Sequence, residues 1–268
     1  MNVSHYNATD YRKHSAPQTE RGLALVELAN VQDGDEVLDI GCGDARTTLN
    51  LFNSNSNVKR IVGVDLSADQ IKAAKLLSKK PDNEEFSKKS TFLCENFLEG
   101  KTLAEETFTL AFSNTAIHWM DPEAYRKIFK LLKCGGRMCI EQCAKGDLQE
   151  LHDVCLDVVD KMGFSSQFEG WRIEKKGYWT PAEEEMLTLL KDLGFSDIDV
   201  VLDEFEFSSD FSDEGIYEAF LASSLHNYYD VISDERLCFE FKERVRKEFQ
   251  QSKPPANAKR IRVLATKL

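Results

Sequence analysis

The chain has 268 residues and a net charge of −12, with 42% hydrophobic and 10% aromatic residues. This composition supplies a sizeable buried core, and no run approaches the roughly 18 apolar residues that suggest a membrane-spanning helix. The acidic balance disfavours a protein that follows a nucleic-acid backbone, since such a protein needs a basic face.

Cysteine usage and the N-terminal residues bear on metal binding and location. Seven cysteines are scattered along the chain without a CxxC pair, and the five histidines do not cluster with them. This distribution fits reduced, buried thiols, and we expect no metal site. The opening residues, MNVSHYNATDYRKH, are polar and contain no apolar signal core. A cytoplasmic location is therefore expected.

Strand and helix patterns alternate through the first half of the chain. Short runs rich in apolar and β-branched residues predict strands, and helical patterns lie between them. The predicted strands are Glu36–Ile40, Arg60–Leu66, Thr91–Glu95, Phe108–Asn114 and Gly136–Cys143. Capping signals predict helices that begin after Ser67 and after Asp121. The order predicts an α/β fold with a parallel, doubly wound sheet.

The second half contains longer helical stretches. The predicted elements are a helix over Asp147–Met162, a helix with a capping box at Thr180 and Glu183, a strand over Asp197–Phe207, two helices between about Ser212 and Gln251, and a last strand within KRIRVLATKL. We expect residues 1–268 to form a single domain. Residues 1–30 are expected to form an N-terminal helical lid, and residues 212–252 a helical cap inserted before the last strand.

The stretch EVLDIGCGDART predicts a ligand-binding corner. A buried strand runs into Gly41 and Gly43, and a helix follows. Glycines at such a turn allow a ligand to approach the backbone next to the helix N-terminus. The P-loop pattern GxxxxGK[ST] is absent, and Asp44-Ala45-Arg46 lacks the third glycine of the dinucleotide fingerprint.

The residues around this turn resemble the class I S-adenosylmethionine methyltransferases, whose pattern is D-x-G-x-G-x-[GA]. Asp39, Gly41, Gly43 and Ala45 occupy its four positions, and a Gly-Gly turn at Gly135-Gly136 stands where the family often has one. The resemblance implies a mostly parallel seven-stranded Rossmann-like sheet with a helical cap. It also implies S-adenosyl-L-methionine as the cofactor and S-adenosyl-L-homocysteine as the product.

The resemblance assigns roles to residues after each strand. Asp39 is expected at the amino-acid end of the cofactor, and Asp65 can accept hydrogen bonds from both ribose hydroxyls. Asn96 stands where the family commonly has an acid for the adenine amino group, with Glu95 as an alternative. The expected cofactor-binding residues are Tyr11, Asp39, Gly41, Gly43, Asp65, Leu66, Asn96, Phe97 and Asn114.

The segment after the fourth strand points to the methyl acceptor. Asn114 and Thr115 are followed by His118-Trp119 and a helix that begins with proline. This context resembles the group of trans-aconitate and juvenile-hormone-acid methyltransferases, which often esterify small carboxylic acids. The resemblance implies Gln18, His118 and Trp119 as catalytic residues, with Gln18 in a segment that closes over the cofactor.

Several alternatives remain open. An amine or hydroxyl acceptor needs a base, for which the candidates are His118, Asp121 and Glu141. A cofactor-binding protein without catalysis is a further alternative. Arg172 is another candidate donor, and Trp171, Tyr178, Trp179, Phe220, Tyr228 and Tyr229 either line an acceptor pocket or pack the core. The expected partner is a small molecule, with no nucleic acid and no membrane; the oligomeric state is open.

Overall fold

The structure is a computed structural model that describes residues 16–169, 178–207 and 213–268, without the side chains of residues 16–21, 213, 214, 216, 223 and 226. Contacts within the chain divide it into two compact units. The sheet unit comprises Pro17–Ala144, Trp179–Asp203 and Arg260–Leu268, and the helical unit consists mainly of Lys145–Tyr178 and Glu204–Lys259. Among the described residues, no helix has the length and apolar character that crossing a membrane requires.

Seven strands form one sheet in the order β3-β2-β1-β4-β5-β7-β6. The strands are β1 (Glu36–Ile40), β2 (Arg60–Asp65), β3 (Ser90–Cys94), β4 (Phe108–Asn114), β5 (Leu132–Cys143), β6 (Phe195–Glu206) and β7 (Asn257–Lys267). The pairs β1–β2, β1–β4, β2–β3 and β4–β5 are parallel, and β7 runs antiparallel to β5. The predicted α/β fold with a mostly parallel seven-stranded sheet is confirmed.

Ten helices are described along the chain. They are α1 (Ala16–Ala29), α2 (Arg46–Ser54), α3 (Ala68–Ser78), α4 (Glu84–Lys89), α5 (Glu123–Leu131), α6 (Gln149–Lys161), α7 (Glu183–Leu193), α8 (Asp213–Ser223), α9 (His226–Ile232) and α10 (Glu235–Ser252). In the sheet unit, helices that connect parallel strands cover the two faces of the sheet, as the strand–helix alternation predicts.

The alternation of side chains along β1 explains the two layers of core. Every residue of this strand is buried, which is typical of a central parallel strand covered on both faces. Leu38 and Ile40 join a core cluster that contains Tyr125 of α5. Val37 points to the other face and joins a cluster with Leu25 of α1. Asp39 therefore shares the second face, where its carboxylate needs a polar partner.

Helix starts agree with the capping signals in two of three cases. Ser67 Oγ accepts a hydrogen bond from the N–H of Gln70 at 3.3 Å, and Asp121 Oδ1 accepts one from the N–H of Glu123 at 2.9 Å. The capping box predicted at Thr180 and Glu183 is wrong by two residues. The backbone stays extended through Ala182, and Glu185 Oε2 accepts from the Ala182 N–H at 2.8 Å.

The helical unit has its own apolar core. Three helices replace the two predicted between residues 212 and 251, because the helix is interrupted at residues 224–225 and the chain turns again at Ser233, where φ is +58°. Asp234 then caps α10 by accepting from the Leu237 N–H at 3.0 Å. Phe241 and Phe249, eight residues apart on α10, are both fully buried in this core. The expected lid over 1–30, cap over 212–252 and single domain over 1–268 stay predictions.

Candidate active site

The glycine turn after β1 is held by the backbone and leaves open space. The N–H groups of Gly41 and Cys42 donate to the carbonyl oxygen of Val64 at 2.8 and 3.1 Å. Gly41 has φ +71°, and a Cβ there would lie 2.2 Å from the Cβ of Ala116. Gly43 has φ +54°, but a Cβ there would meet nothing within 4 Å. The first glycine thus allows close packing, and the second borders a space that a ligand can fill.

Asp65 connects the ends of the first three strands. Its Oδ2 accepts from the Gly43 N–H at 3.0 Å, and its Oδ1 accepts from the Ser67 N–H at 2.8 Å. Its main-chain oxygen accepts from the Glu95 N–H at 3.1 Å. Burial raises the pKa of Asp65, while the two backbone N–H groups oppose that shift. Each carboxylate oxygen keeps a lone pair for a further donor, and the next side chain, Leu66, is exposed.

Asp39 lies beneath the turn instead of at the protein surface. Only 2% of its surface is exposed. Thr48 Oγ1 on α2 donates to Asp39 Oδ2 at 2.6 Å. Burial raises the pKa of Asp39 to about 7; the Thr48 hydrogen bond opposes this shift and the charge of Asp65 adds to it. Sequence reasoning missed Thr48, although a threonine in the first turn of the helix after the glycines is a signal for such a contact.

The loop after β3 is fixed by a lysine from α5. Lys127 Nζ donates to the carbonyl oxygens of Phe97 at 2.5 Å and Gly100 at 2.6 Å, and it lies 5.1 Å from the centre of the Phe97 ring. Burial lowers the pKa of Lys127, and the charge of Glu95 opposes that shift. Asn96 Oδ1 accepts from the Leu98 N–H at 3.0 Å. The Phe97 side chain is buried, so the loop can offer a ligand the Phe97 main chain and the second lone pair of Asn96 Oδ1.

The end of β4 combines close packing with a strained backbone. A Cβ on Gly22 of α1 would lie 2.9 Å from Asn114 Nδ2, so α1 passes close to this side chain. Thr115 has φ +52°, and its N–H donates to the carbonyl oxygen of Glu141 at 2.8 Å. A β-branched residue in the left-handed region is strained, and such residues concentrate at functional sites.

His118 is buried and neutral. It lies in a short 3₁₀ turn, and only 2% of its surface is exposed. Its Nε2 lies 3.7 Å from Cys143 Sγ, and its ring centre lies 5.1 Å from that of the half-buried Trp119. Burial lowers the pKa of His118 well below its ordinary value, and the charge of Arg260 lowers it further.

The predicted site residues fall at one edge of the sheet where they are described. Because β1 to β5 are parallel, their carboxyl ends share that edge. The predicted residues that follow or end these strands are Gly41, Gly43, Asp65, Leu66, Asn96, Phe97, Asn114, His118 and Trp119. Their roles stay predictions. Tyr11, Trp171 and Arg172 lie outside the described residues, and Gln18 lies in α1 without a described side chain.

Most of the aromatic candidates that are described belong to the cores. Phe220 and Tyr228 are buried in the apolar cluster of the helical unit. Trp179 contacts Tyr125 edge to face, with ring centres 5.5 Å apart. The positions of these three aromatic residues therefore favour packing of the cores over the alternative of lining an acceptor pocket.

Comparison with known proteins identifies the class. Residues 31–194, more than half of the chain, match the family described as Methyltransferase domain, and the chain belongs to that family. It is an S-adenosylmethionine-dependent methyltransferase, as the glycine turn, Asp39 near the end of β1 and Asp65 at the end of β2 indicate.

Individual relatives are similar at low identity. An uncharacterised methyltransferase of Schizosaccharomyces pombe is 26% identical over 202 residues, which cover 73% of this chain and 72% of that protein. Juvenile hormone acid O-methyltransferase of Bombyx mori is 27% identical over 259 residues, covering 86% and 87%. Phosphoethanolamine N-methyltransferase 2 of Haemonchus contortus, solved with S-adenosyl-L-methionine, superposes with a TM-score of 0.60 at 19% identity, covering 98% of this chain and 58% of that one.

The described residues fit the cofactor. Open space borders Gly43, where a Cβ would project. The Asp65 carboxylate lies beside that glycine and keeps lone pairs for hydroxyl donors. The exposed Leu66 offers an apolar surface next to this acid. When bound, S-adenosylmethionine supplies a methyl group on a positively charged sulfur; the protein supplies the cradle and the surroundings of the acceptor.

Proposed function

We propose that this methyltransferase transfers the methyl group to the carboxylate of a small-molecule acid, and that it belongs with the trans-aconitate and juvenile-hormone-acid methyltransferases. The observation that carries the proposal is the state of His118. This imidazole follows the end of β4, where the acceptor is expected, and its burial lowers its pKa.

The lowered pKa of His118 supports a carboxylate acceptor over one that must lose a proton. A general base is most effective when its pKa lies near the working pH, and the pKa of His118 is well below its usual 6.5. An acceptor that must lose a proton, such as a phenol or an ammonium group, would receive little help from this imidazole. A carboxylate is already ionised at neutral pH, so it needs no base.

The proposed reaction is an in-line displacement. A carboxylate oxygen forms a bond to the methyl carbon, the carbon–sulfur bond breaks, and its electron pair stays on sulfur. No proton moves in this step. The roles that we propose for Gln18, His118 and the indole N–H of Trp119 are to orient the carboxylate, while a buried setting removes water from it.

The relatives support this acceptor only in part. The Bombyx mori relative is named for O-methylation of juvenile hormone acid, whereas the Haemonchus contortus structure is named for N-methylation of phosphoethanolamine. N-methylation is therefore the second candidate. It predicts dependence on a base, for which Asp121 and Glu141 remain the alternatives to His118.

The proposal is tested by incubating the purified chain with radiolabelled S-adenosylmethionine and a matched panel of acceptors. The panel contains isoprenoid acids, fatty acids, polycarboxylates, the corresponding amides, phenols and primary amines. We expect labelled methyl esters that release methanol in base. Label that appears only in phenols or amines contradicts the carboxyl acceptor and favours the second candidate.

The pH dependence of the rate provides an independent check. With both substrates saturating, the rate of carboxyl transfer should stay flat above about pH 6, because the acceptor carboxylate is ionised there. A rate that increases tenfold per pH unit through neutral pH would instead show that a proton must leave the acceptor. His118→Asn should lower kcat moderately without changing the shape of the profile.

A further inference from the structure

One buried cation stands out at the acceptor side of the sheet. Among the lysines and arginines whose side chains are described, only Arg260 and Lys267 are buried, with 5% and 9% of their surfaces exposed. Both lie on β7. Lys267 Nζ donates to the carbonyl oxygen of Leu132 at the start of β5. Arg260 lies near the other end of β7, and sequence analysis did not single it out.

The strand register places Arg260 at the site. Because β7 is antiparallel to β5, Arg260 pairs with Cys143, the last residue of β5. It therefore lies at the edge where the parallel strands have their carboxyl ends. Cys143 Sγ is in turn 3.7 Å from His118 Nε2. The charge of Arg260 acts on His118 and lowers the pKa of this imidazole, after the larger effect of burial.

A guanidinium in this position favours one kind of ligand. It stays protonated, so its charge must be balanced by acceptors around it. Arg260 already has an interaction within the protein, but its five N–H donors allow several acceptors at once. Its planar fork matches the two oxygens of a carboxylate, and a carboxylate keeps further lone pairs when it is held in this way. A cationic acceptor would be repelled.

We propose that Arg260 binds the carboxylate of the methyl acceptor beside His118 and selects anionic acceptors over neutral and cationic ones. This inference rests on the proposed carboxyl methylation. Arg260 holds the acid through its fork and leaves a lone pair of one oxygen free to attack the methyl group. In this arrangement Arg260 selects the acceptor, while the residues at the ends of β1, β2 and β3 hold the cofactor.

The test uses the full chain with an acid that the wild-type protein methylates. The variants are Arg260→Met and Arg260→Lys, with Arg262→Met as the matched control. Arg262 lies two residues along the same strand, and its Nη1 is 3.5 Å from Asp203 Oδ2. The measurements are KM and kcat for the acid, inhibition by the acid's neutral amide, the affinity for S-adenosylhomocysteine, and the melting temperature.

We expect Arg260→Met to raise KM for the acid by about tenfold or more, because the charge-assisted hydrogen bonds between the guanidinium and the acceptor carboxylate are lost. Inhibition by the amide and affinity for S-adenosylhomocysteine should stay unchanged. Arg260→Lys keeps the charge but loses the fork, so KM should rise less; this variant decides the question if the methionine variant does not fold. Arg262→Met should match the wild type.

Two failures are distinguishable. If the wild-type protein methylates no carboxylic acid, the proposed function is wrong and the role of Arg260 falls with it. If it methylates acids but both Arg260 variants keep the wild-type KM, only the role of Arg260 is wrong. An equal loss of acid, amide and cofactor binding in the lysine variant would show that Arg260 stabilises the fold and does not bind the acceptor.

Discussion

The cofactor side and the acceptor side of this site are built in different ways. On the cofactor side, backbone N–H groups fix the turn after β1: those of Gly41 and Cys42 donate to the Val64 carbonyl oxygen, and that of Gly43 donates to the Asp65 carboxylate. On the proposed acceptor side, His118 and Arg260 come from segments far apart in the chain; the His118 imidazole lies beside the Cys143 thiol, and Arg260 pairs with Cys143 across the strands. The comparison teaches that a glycine turn can be recognised from a short sequence motif, whereas the proposed acceptor side depends on side chains that only the whole fold brings together.

The largest expected effect concerns Asp65, the acid that connects the strand ends. Asp65→Ala removes the acceptor for the Gly43 and Ser67 N–H groups and for the ribose hydroxyls that we propose it binds. A hydrogen bond to a charged group is worth about 1.5–3 kcal/mol, so the affinity for S-adenosylmethionine should fall by about a hundredfold or more. Calorimetric titration measures this change, and Asp82→Ala, at an exposed acid in the 3₁₀ turn after α3, should bind normally.

An unchanged affinity of Asp65→Ala for S-adenosylmethionine would contradict the proposed role of Asp65 in cofactor binding. Asp65→Asn sharpens the test, because the amide oxygen retains one acceptor. Its affinity should lie between those of the wild type and the alanine variant.

The next effect separates the two glycines of the turn. Gly41→Ala places a methyl group 2.2 Å from the Ala116 Cβ at φ +71°. The backbone strain and the clash together should cost about 3 kcal/mol of unfolding free energy. Gly43→Ala has no clash within 4 Å, so it should cost about 1 kcal/mol, but its methyl group occupies the space that fits the cofactor.

Denaturant unfolding and cofactor titration of both variants provide the measurement. We expect the larger loss of stability in Gly41→Ala and a loss of binding without a large loss of stability in Gly43→Ala. If the reverse pattern appeared, the open space would not lie at Gly43.

A smaller effect is expected from Lys127, which links α5 to the loop after β3. Lys127→Met retains most of the aliphatic stem and removes the donor to the carbonyl oxygens of Phe97 and Gly100. The loop should loosen, and the affinity for S-adenosylhomocysteine should fall by about tenfold. Lys130→Met on the same helix, where the side chain is exposed, is the matched control.

A ligand without the adenine amino group tests whether the loop after β3 recognises adenine. S-inosylhomocysteine lacks the amino group that Asn96 is expected to contact, so it makes this contact neither with the wild type nor with Lys127→Met. The substitution should therefore lower its affinity less than that of S-adenosylhomocysteine. Equal losses of affinity for the two ligands would show that Lys127 stabilises the protein without affecting recognition of the adenine amino group.

The same contrast explains what the sequence could and could not reveal. The strand Glu36–Ile40 and the turn glycines are predicted correctly, because their conformations follow from local patterns. The sequence did not reveal the role of Lys127, because its partners lie 27 and 30 residues away. They are main-chain carbonyl oxygens, which every residue has, so no residue type identifies them. Arg260 and Arg262 share one face of an alternating strand, and only the tertiary fold buries the first of them.

The smallest effect is a pH dependence of cofactor binding through Asp39. Its pKa is raised from 3.8 to about 7 in the cofactor-free protein, chiefly by burial. If Asp39 acts at the amino-acid end of the cofactor, the ammonium group there favours the carboxylate form and lowers this pKa. Binding then releases a proton, so affinity should rise with pH, by at most tenfold per unit, and level off above about pH 7.

The stability of the cofactor-free protein should change in the opposite direction. An acid whose pKa is higher in the folded state favours folding when protonated, so the free energy of unfolding should fall as pH rises from about 4 to 7. Thr48→Val removes the hydrogen bond that lowers this pKa, so both transitions should move to higher pH. Asp39→Asn should abolish them. Calorimetry in buffers of different ionisation enthalpy measures the released proton, and an equal proton release in Asp39→Asn would assign it to the cofactor's own amino group instead.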